Sequence, residues 1–195
     1  DMNSSIHVDN LLEEESKSNT HSMTTNNRHT VNAYYNGNFN DWNVDLNMDG
    51  MWSDSNNPIV AEEYVKQSYN KEVNSNIHTL GKNRNELYAA KLVMEHPLWE
   101  GSFSIGSEYT YSSRVNQYVN DENIIPDNDN KIQENAVSAF AMYARSFGQL
   151  QVQAGVRYEH LKSDYYEFGK RMDEQSRKYD NVFPSVSLSY PIGKV

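Results

Sequence analysis

Side chains that alternate one by one between apolar and polar leave a chain few ways to fold. A period of two belongs to an extended strand with a single apolar face. From Val31 the residues Val31, Ala33, Tyr35, Gly37 and Phe39 share one side, with Thr30, Asn32, Tyr34, Asn36 and Asn38 on the other. After Asn40-Asp41 the alternation resumes, with Trp42, Val44, Leu46, Met48, Gly50 and Trp52 set against Asn43, Asp45, Asn47 and Asp49. Asn and Asp both tolerate a positive φ, so the two runs and the dipeptide between them predict a β-hairpin.

The unit recurs. Tyr88, Ala90, Leu92 and Met94 lead to a turn within 97–101, and Phe103, Ile105, Tyr109 and Tyr111 return from it. A third hairpin turns near Phe147-Gly148 and returns through Leu150, Val152, Ala154, Val156 and Tyr158. A last run carries Val182, Val186, Leu188 and Tyr190, followed by the start of another turn at 191–194. The expected fold is all-β, an antiparallel up-and-down meander of about seven strands, near 28–39, 42–53, 84–96, 101–114, 133–146, 149–162 and 179–190. Long polar segments at about 53–83, 115–132 and 162–178 read as loops, and residues 1–26 as the polar tail of a preceding hairpin. All the short connections then lie at one end of the sheet and all the long ones at the other.

Composition removes other classes. Apolar residues are 37% of the chain, yet aromatics reach 12% with 14 Tyr, too many for a disordered chain. The net charge of −10 provides no basic stripe, which argues against nucleic acid as a partner. With no cysteine there is no disulfide scaffold, thiolate metal site or cysteine nucleophile. No segment approaches the ~20 apolar residues of a membrane helix.

Alternation alone leaves open whether the apolar face meets a protein core or lipid. Three features favour lipid and a partial outer-membrane barrel over 27–195. Aromatic residues sit beside the short turns, namely Phe39, Trp42, Trp99, Phe147 and Tyr190, as a membrane–water interface selects. Trp52 lies ten residues beyond Trp42 on the same face, a span of ~25 Å along the normal at ordinary strand tilt. The opposite face carries Asn, Ser, Gln and Thr with Asp45, Asp49, Glu108, Arg157 and Glu159 among them, which suits a wet lumen. The alternatives are a soluble β-sandwich binding module and a complete small outer-membrane barrel. Seven strands do not close a bacterial barrel, so we expect a section of a larger one, with exposed edges that favour edge-to-edge self-association.

Arg28-His29-Thr30-Val31-Asn32-Ala33-Tyr34-Tyr35 and Gln153-Ala154-Gly155-Val156-Arg157-Tyr158-Glu159 resemble strands of the TonB-dependent receptor barrels common in Bacteroidota. Tyr179-Asp180-Asn181-Val182-Phe183-Pro184-Ser185 is similar to a strand start in the same group. The likeness covers most of 27–190. It implies an outer-membrane importer of a bulky nutrient (a metal chelate, vitamin or oligosaccharide), whose partners are the bilayer, a plug domain and an energy-coupling protein. The chain shows neither the plug nor the coupling box of that pattern.

Motifs for chemistry are few. Asp45-Leu46-Asn47-Met48-Asp49-Gly50 matches half of a calcium loop, but position twelve is Asn56 rather than Glu. On a strand its three acidic or amide side chains stand ~6.6 Å apart, so a lumen-facing polar row is the reading adopted. Asp127-Asn128-Asp129-Asn130 reads as a solvated loop. The six His show no ligand spacing, and His96 and His160 fall near strand ends. No catalytic residue, metal site or cofactor is expected, and no enzyme. Tyr64, Tyr69, Tyr118, Tyr165 and Tyr166, in the segments read as long external loops, are the candidate ligand contacts.

Overall fold

The computed structural model describes residues 2–8, 11–67, 71–124 and 126–192. The strands are β1 (Met2–Val8), β2 (Leu11–Ser22), β3 (Thr25–Phe39), β4 (Trp42–Gln67) and β5 (Lys71–Leu98). They continue as β6 (Gly101–Asn120), β7 (Asn128–Phe147), β8 (Leu150–Glu167), β9 (Lys170–Arg171) and β10 (Arg177–Ser189). All belong to one antiparallel sheet in the order β1-β2-β4-β5-β6-β7-β8-β10, with β3 beside β4 and β9 beside β8. The meander of the alternating segments is present as read. No second sheet packs on it among the described residues, so the chain is not the two-layer sandwich held open as an alternative.

Short turns form where local chemistry permits them. Asn40-Asp41 joins Phe39 to Trp42 with Asn40 at φ 53, and Gly148-Gln149 joins Phe147 to Leu150 with Gly148 at φ 62. Trp99 and Glu100 make the β5–β6 turn with both residues in the left-handed region, at φ 48 and 58. Mirror-image turns of this kind follow the right-handed twist of their strands, and here two non-glycine residues bear the steric cost. The predicted turn at 191–194 is described only at 191–192.

Most of what read as long loops is strand. β4 and β5 pair from Asn43–Glu95 to Gln67–Lys71 without a register shift, through every described residue of the stretch expected to be loop. β6 runs to Asn120, β7 starts at Asn128, β8 reaches Glu167, and the short β9 lies within the connection 168–176. Residues 1–26 are likewise not a tail, since β1, β2 and the first residues of β3 lie there. Beyond the apolar band both faces of a sheet are wet, so backbone pairing continues without any apolar alternation to advertise it.

The register also fixes a tilt. Asn43 pairs with Glu95, which sets the turn at 40–41 level with residues 97–98; the next short turn, at 99–100, lies two residues further. Gly101 pairs with Arg145, so the 99–100 turn is level with 146–147, and the following turn at 148–149 is again two residues further. One residue of stagger per strand, about 3.3 Å along for 4.8 Å across, is a tilt of about 35°, the value a closed barrel requires. The sheet itself is open, with β3 and β10 sharing no pairing among the described residues.

Candidate membrane interface and lumenal face

Continuous registers collect the alternating residues of every strand onto two faces. One row runs Tyr35, Leu46, Leu92, Ser107, Ala139, Tyr158, Val182 across seven strands. The neighbouring row runs Tyr34, Asn47, Lys91, Glu108, Ser138, Glu159, Asn181. A step of one residue thus separates a band of aliphatic and aromatic side chains from a polar and ionic one. We call the first face outward and the second inward.

The outward face is unlike any surface meant for water. No hydrophobic residue is buried among the described ones, while Val31 is 60% exposed, Val186 74% and Leu188 67%. The five most buried residues are instead polar: Ser104, Ser113, Asn120, Ser138 and Asp164. A contiguous apolar surface of this size is a binding surface, and one that follows a strand tilt of 35° is shaped for a bilayer.

Aromatic residues close the band at both ends. At the short-turn end Trp42 stacks on His96 at 4.9 Å, and His96 Nδ1 lies 3.2 Å from the Asp41 carbonyl. The Tyr143 hydroxyl donates to the Trp99 carbonyl at 3.0 Å, and Arg145 lies over the Phe147 ring. Phe39 pairs with Trp42 at this level, and the exposed Tyr190 directly follows β10. At the opposite end the Trp52 Nε1–H donates to the Tyr88 hydroxyl at 2.6 Å, the two rings meeting edge to face at 5.6 Å. Tyr88 in turn lies 6.0 Å from Tyr111. Trp42 and Trp52 are ten residues apart, which at this tilt is about 27 Å along the normal, the height of an outer-membrane apolar band. Trp52 was expected at this end; Tyr88, Tyr111 and Tyr158, which the sequence reading did not name, stand at the last apolar position before a charged or polar side chain on the same face. That boundary was visible: Glu86, Ser113 and His160 come next in each strand.

Charge returns outward immediately beyond these rings. Arg84 Nε donates to Asp54 at 2.8 Å, and His160 Nδ1 lies 2.7 Å from Asp180. Higher still, the nearly buried Asp164 carboxylate accepts from Lys162 at 2.7 Å and from Arg171 at 2.8 Å. Lys162 first and Arg171 second hold its carboxyl below the usual carboxylate range. Residues 121–122 fold back onto β5: the Asp121 N–H donates to the His78 carbonyl at 3.1 Å, and the His78 N–H donates to Glu122 at 2.7 Å. Glu122 is held below its ordinary pKa chiefly by the His78 ring at 2.6 Å, then by that N–H.

Inward, the same membrane depth is polar. Asp45 accepts from the Tyr34 hydroxyl at 2.8 Å and the Asn36 amide at 2.5 Å, and Asp49 accepts from Asn32 at 2.6 Å and Asn47 at 2.9 Å. The half calcium motif is therefore a cross-strand ladder whose oxygens already hold donors. No cluster of three metal-ligating His, Asp or Glu side chains exists among the described residues. Arg157 sits between Glu159 at 2.5 Å and Glu108 at 3.7 Å. At Gly106 the Phe140 ring covers the space a side chain would take, which lets one aromatic lie flat on the inward wall.

The candidate ligand tyrosines do not converge. Tyr64 lies on the outward side of β4, where the Glu72 carboxylate raises its pKa, and Tyr166 lies outward on β8 with the Lys131 ammonium 5.9 Å from its ring. Tyr118 and Tyr165 face inward on β6 and β8, and Tyr69 lies outside the described residues.

Residues 36–195 match the outer membrane protein beta-barrel family, and the chain belongs to it. Among solved structures it is similar to the ferric citrate transporter FecA in its unliganded form, with a TM-score of 0.51 and 13% identity. That likeness, of fold alone, covers 92% of this chain and 26% of the transporter's, so the chain spans about a quarter of the length of that neighbour. No curated protein matches it.

Proposed function

We propose that this member of the outer membrane protein beta-barrel family forms one section of the wall of a TonB-dependent importer, which takes up a bulky nutrient through a plugged lumen. The observation that carries the reading is the pair of faces at one depth. An outward apolar band about 27 Å high backs onto an inward wall of amides, carboxylates and hydroxyls. A wall of that kind lines a solvated passage. The open edges of β3 and β10 are where further strands of the same barrel would pair, which fits the quarter-length likeness to a transporter barrel. By the usual rule for such barrels, the turns at 40–41, 99–100 and 148–149 are periplasmic and the long extensions of β4 and β5 external. The inward Tyr118 and Tyr165 are then the tyrosines placed to meet a ligand entering from outside.

The test is uptake by the intact receptor. Deleting its gene is expected to abolish uptake of one metal chelate, vitamin or oligosaccharide too large for general pores. The plasmid-borne gene should restore that uptake, and a protonophore should stop it. Restored uptake that continues unchanged with the protonophore present would overturn the energy-coupled reading while leaving the barrel intact.

A further inference from the structure

The β2–β3 segment is interrupted, and the interruption has a cause in the neighbouring strand. β2 pairs with β4 as far as Ile59, and β3 pairs with it from Asn56, so Asn57 and Pro58 are skipped on that side. Proline has no N–H to give a ladder. On the inward face the Asn57 side chain closes the gap, its Oδ1 accepting from Ser22 at 2.9 Å and Thr24 at 2.8 Å. On the outward face a cavity of about 740 Å³ opens beside the gap, bordered by Met23 and Thr25, walled by Pro58, Leu80 and Val115 and lined by Asp54, Lys82 and Arg84.

Depth and charge together say what such a cavity meets. Arg84 pairs in register with Asp54, two residues beyond Trp52, and Lys82 with Asn56, four residues beyond. At about 2.7 Å of height per residue, they stand about 5 and 11 Å outside the aromatic level, within and just above the headgroup layer. Asp54 engages only Nε of Arg84, so the terminal guanidinium nitrogens hold no hydrogen bond among the described residues, and Lys82 has no carboxylate partner there. Among the lining residues Lys82 and Arg84 outnumber Asp54 by one positive charge, with the Glu86 carboxylate two residues from Arg84 on the same face and acting on it; the rim carries donors and the walls toward the membrane are apolar.

We propose that this cavity binds the phosphate-bearing headgroup of a membrane lipid, with Arg84 and Lys82 on the phosphate and Leu80, Val115 and Pro58 against the apolar stem. With the β4 and β5 extensions external, as proposed above, this rim meets the external leaflet, whose lipid A bears phosphates. It is also separate from transport, since it opens on the lipid side of the wall.

Native mass spectrometry of the protein purified from outer membranes in mild detergent tests this, with bis-phosphorylated lipid A and its dephosphorylated form as probes. The wild type should retain the phosphorylated lipid, and the double variant Lys82→Gln/Arg84→Gln should bind it about thirtyfold more weakly, as for two lost cationic contacts at a membrane surface. Lys91→Gln, which removes one inward charge, should bind as the wild type does. Asp54→Asn removes the competing carboxylate and should tighten binding, a gain that misfolding would not produce. Equal retention by the double variant, equal loss in Lys91→Gln, or weaker binding in Asp54→Asn would each overturn the proposal. So would displacement of the lipid by millimolar inorganic phosphate, which would mark a free-anion site instead.

Discussion

Leu92 and Lys91 are neighbours in β5 at one membrane depth on opposite faces, and exchanging their characters separates lipid from lumen. Leu92 pairs with Leu46, four residues from Trp42 and six from Trp52, so it stands about 11 Å and 16 Å from the two aromatic levels, close to mid-membrane. A lysine there costs about 2–4 kcal/mol against lipid. Losing the leucine's own transfer out of water adds about 1.5–3 kcal/mol. Leu92→Lys should therefore destabilise the folded barrel by about 3.5–7 kcal/mol, a large share of the stability of most domains. Lys91→Leu, one residue away, removes a charge from a wet wall and should cost less than about 1 kcal/mol. Denaturant titration in lipid vesicles, followed by tryptophan fluorescence and by the heat-dependent shift in electrophoretic mobility, reads both values. A Leu92→Lys barrel within 1 kcal/mol of wild type, or a Lys91→Leu barrel equally damaged, would refute the assignment of faces.

Three further outcomes are expected. Gly106→Ala puts a Cβ into the Phe140 ring and 2.8 Å from the Leu92 carbonyl oxygen, and should cost about 1–3 kcal/mol, partly recovered in Gly106→Ala/Phe140→Leu, by the same titration. Glu122 has a folded pKa below its unfolded one, so its contribution is complete at neutral pH and lost as pH falls through the ordinary carboxylate range toward the lowered value. Hydrogen-exchange protection at the Asp121 and His78 amides, corrected for intrinsic rates, should fall across that window in the wild type and stay flat in Glu122→Gln. Finally, the 195-residue chain alone should self-associate in water through its apolar face and the β3 and β10 edges. Detergent should disperse it, and a detergent-indifferent monomer by light scattering would contradict that.

Within the membrane the sequence was nearly sufficient. There the solvent differs on the two faces, so each strand from Val31 to Leu188 had to alternate, and the alternation revealed strand, face and turn together. Trp42 and Trp52 even gave the height of the band. Outside the bilayer that constraint disappears. Both faces of 57–67 and 71–81 meet water, the residues become Asn, Glu, Lys and Ser without pattern, and only pairing of β4 with β5 shows them to be strand. The same loss of signal hid β2, whose place is set by its partner in β4 rather than by its own side chains. Register was also beyond the sequence. The stagger of two residues per hairpin, the meeting of Tyr88 with Trp52 and the docking of Glu122 on His78 join residues more than thirty positions apart. A local pattern can state that a residue faces lipid or lumen; which residue stands beside it is decided by hydrogen bonds between strands, and those exist only once the sheet has formed.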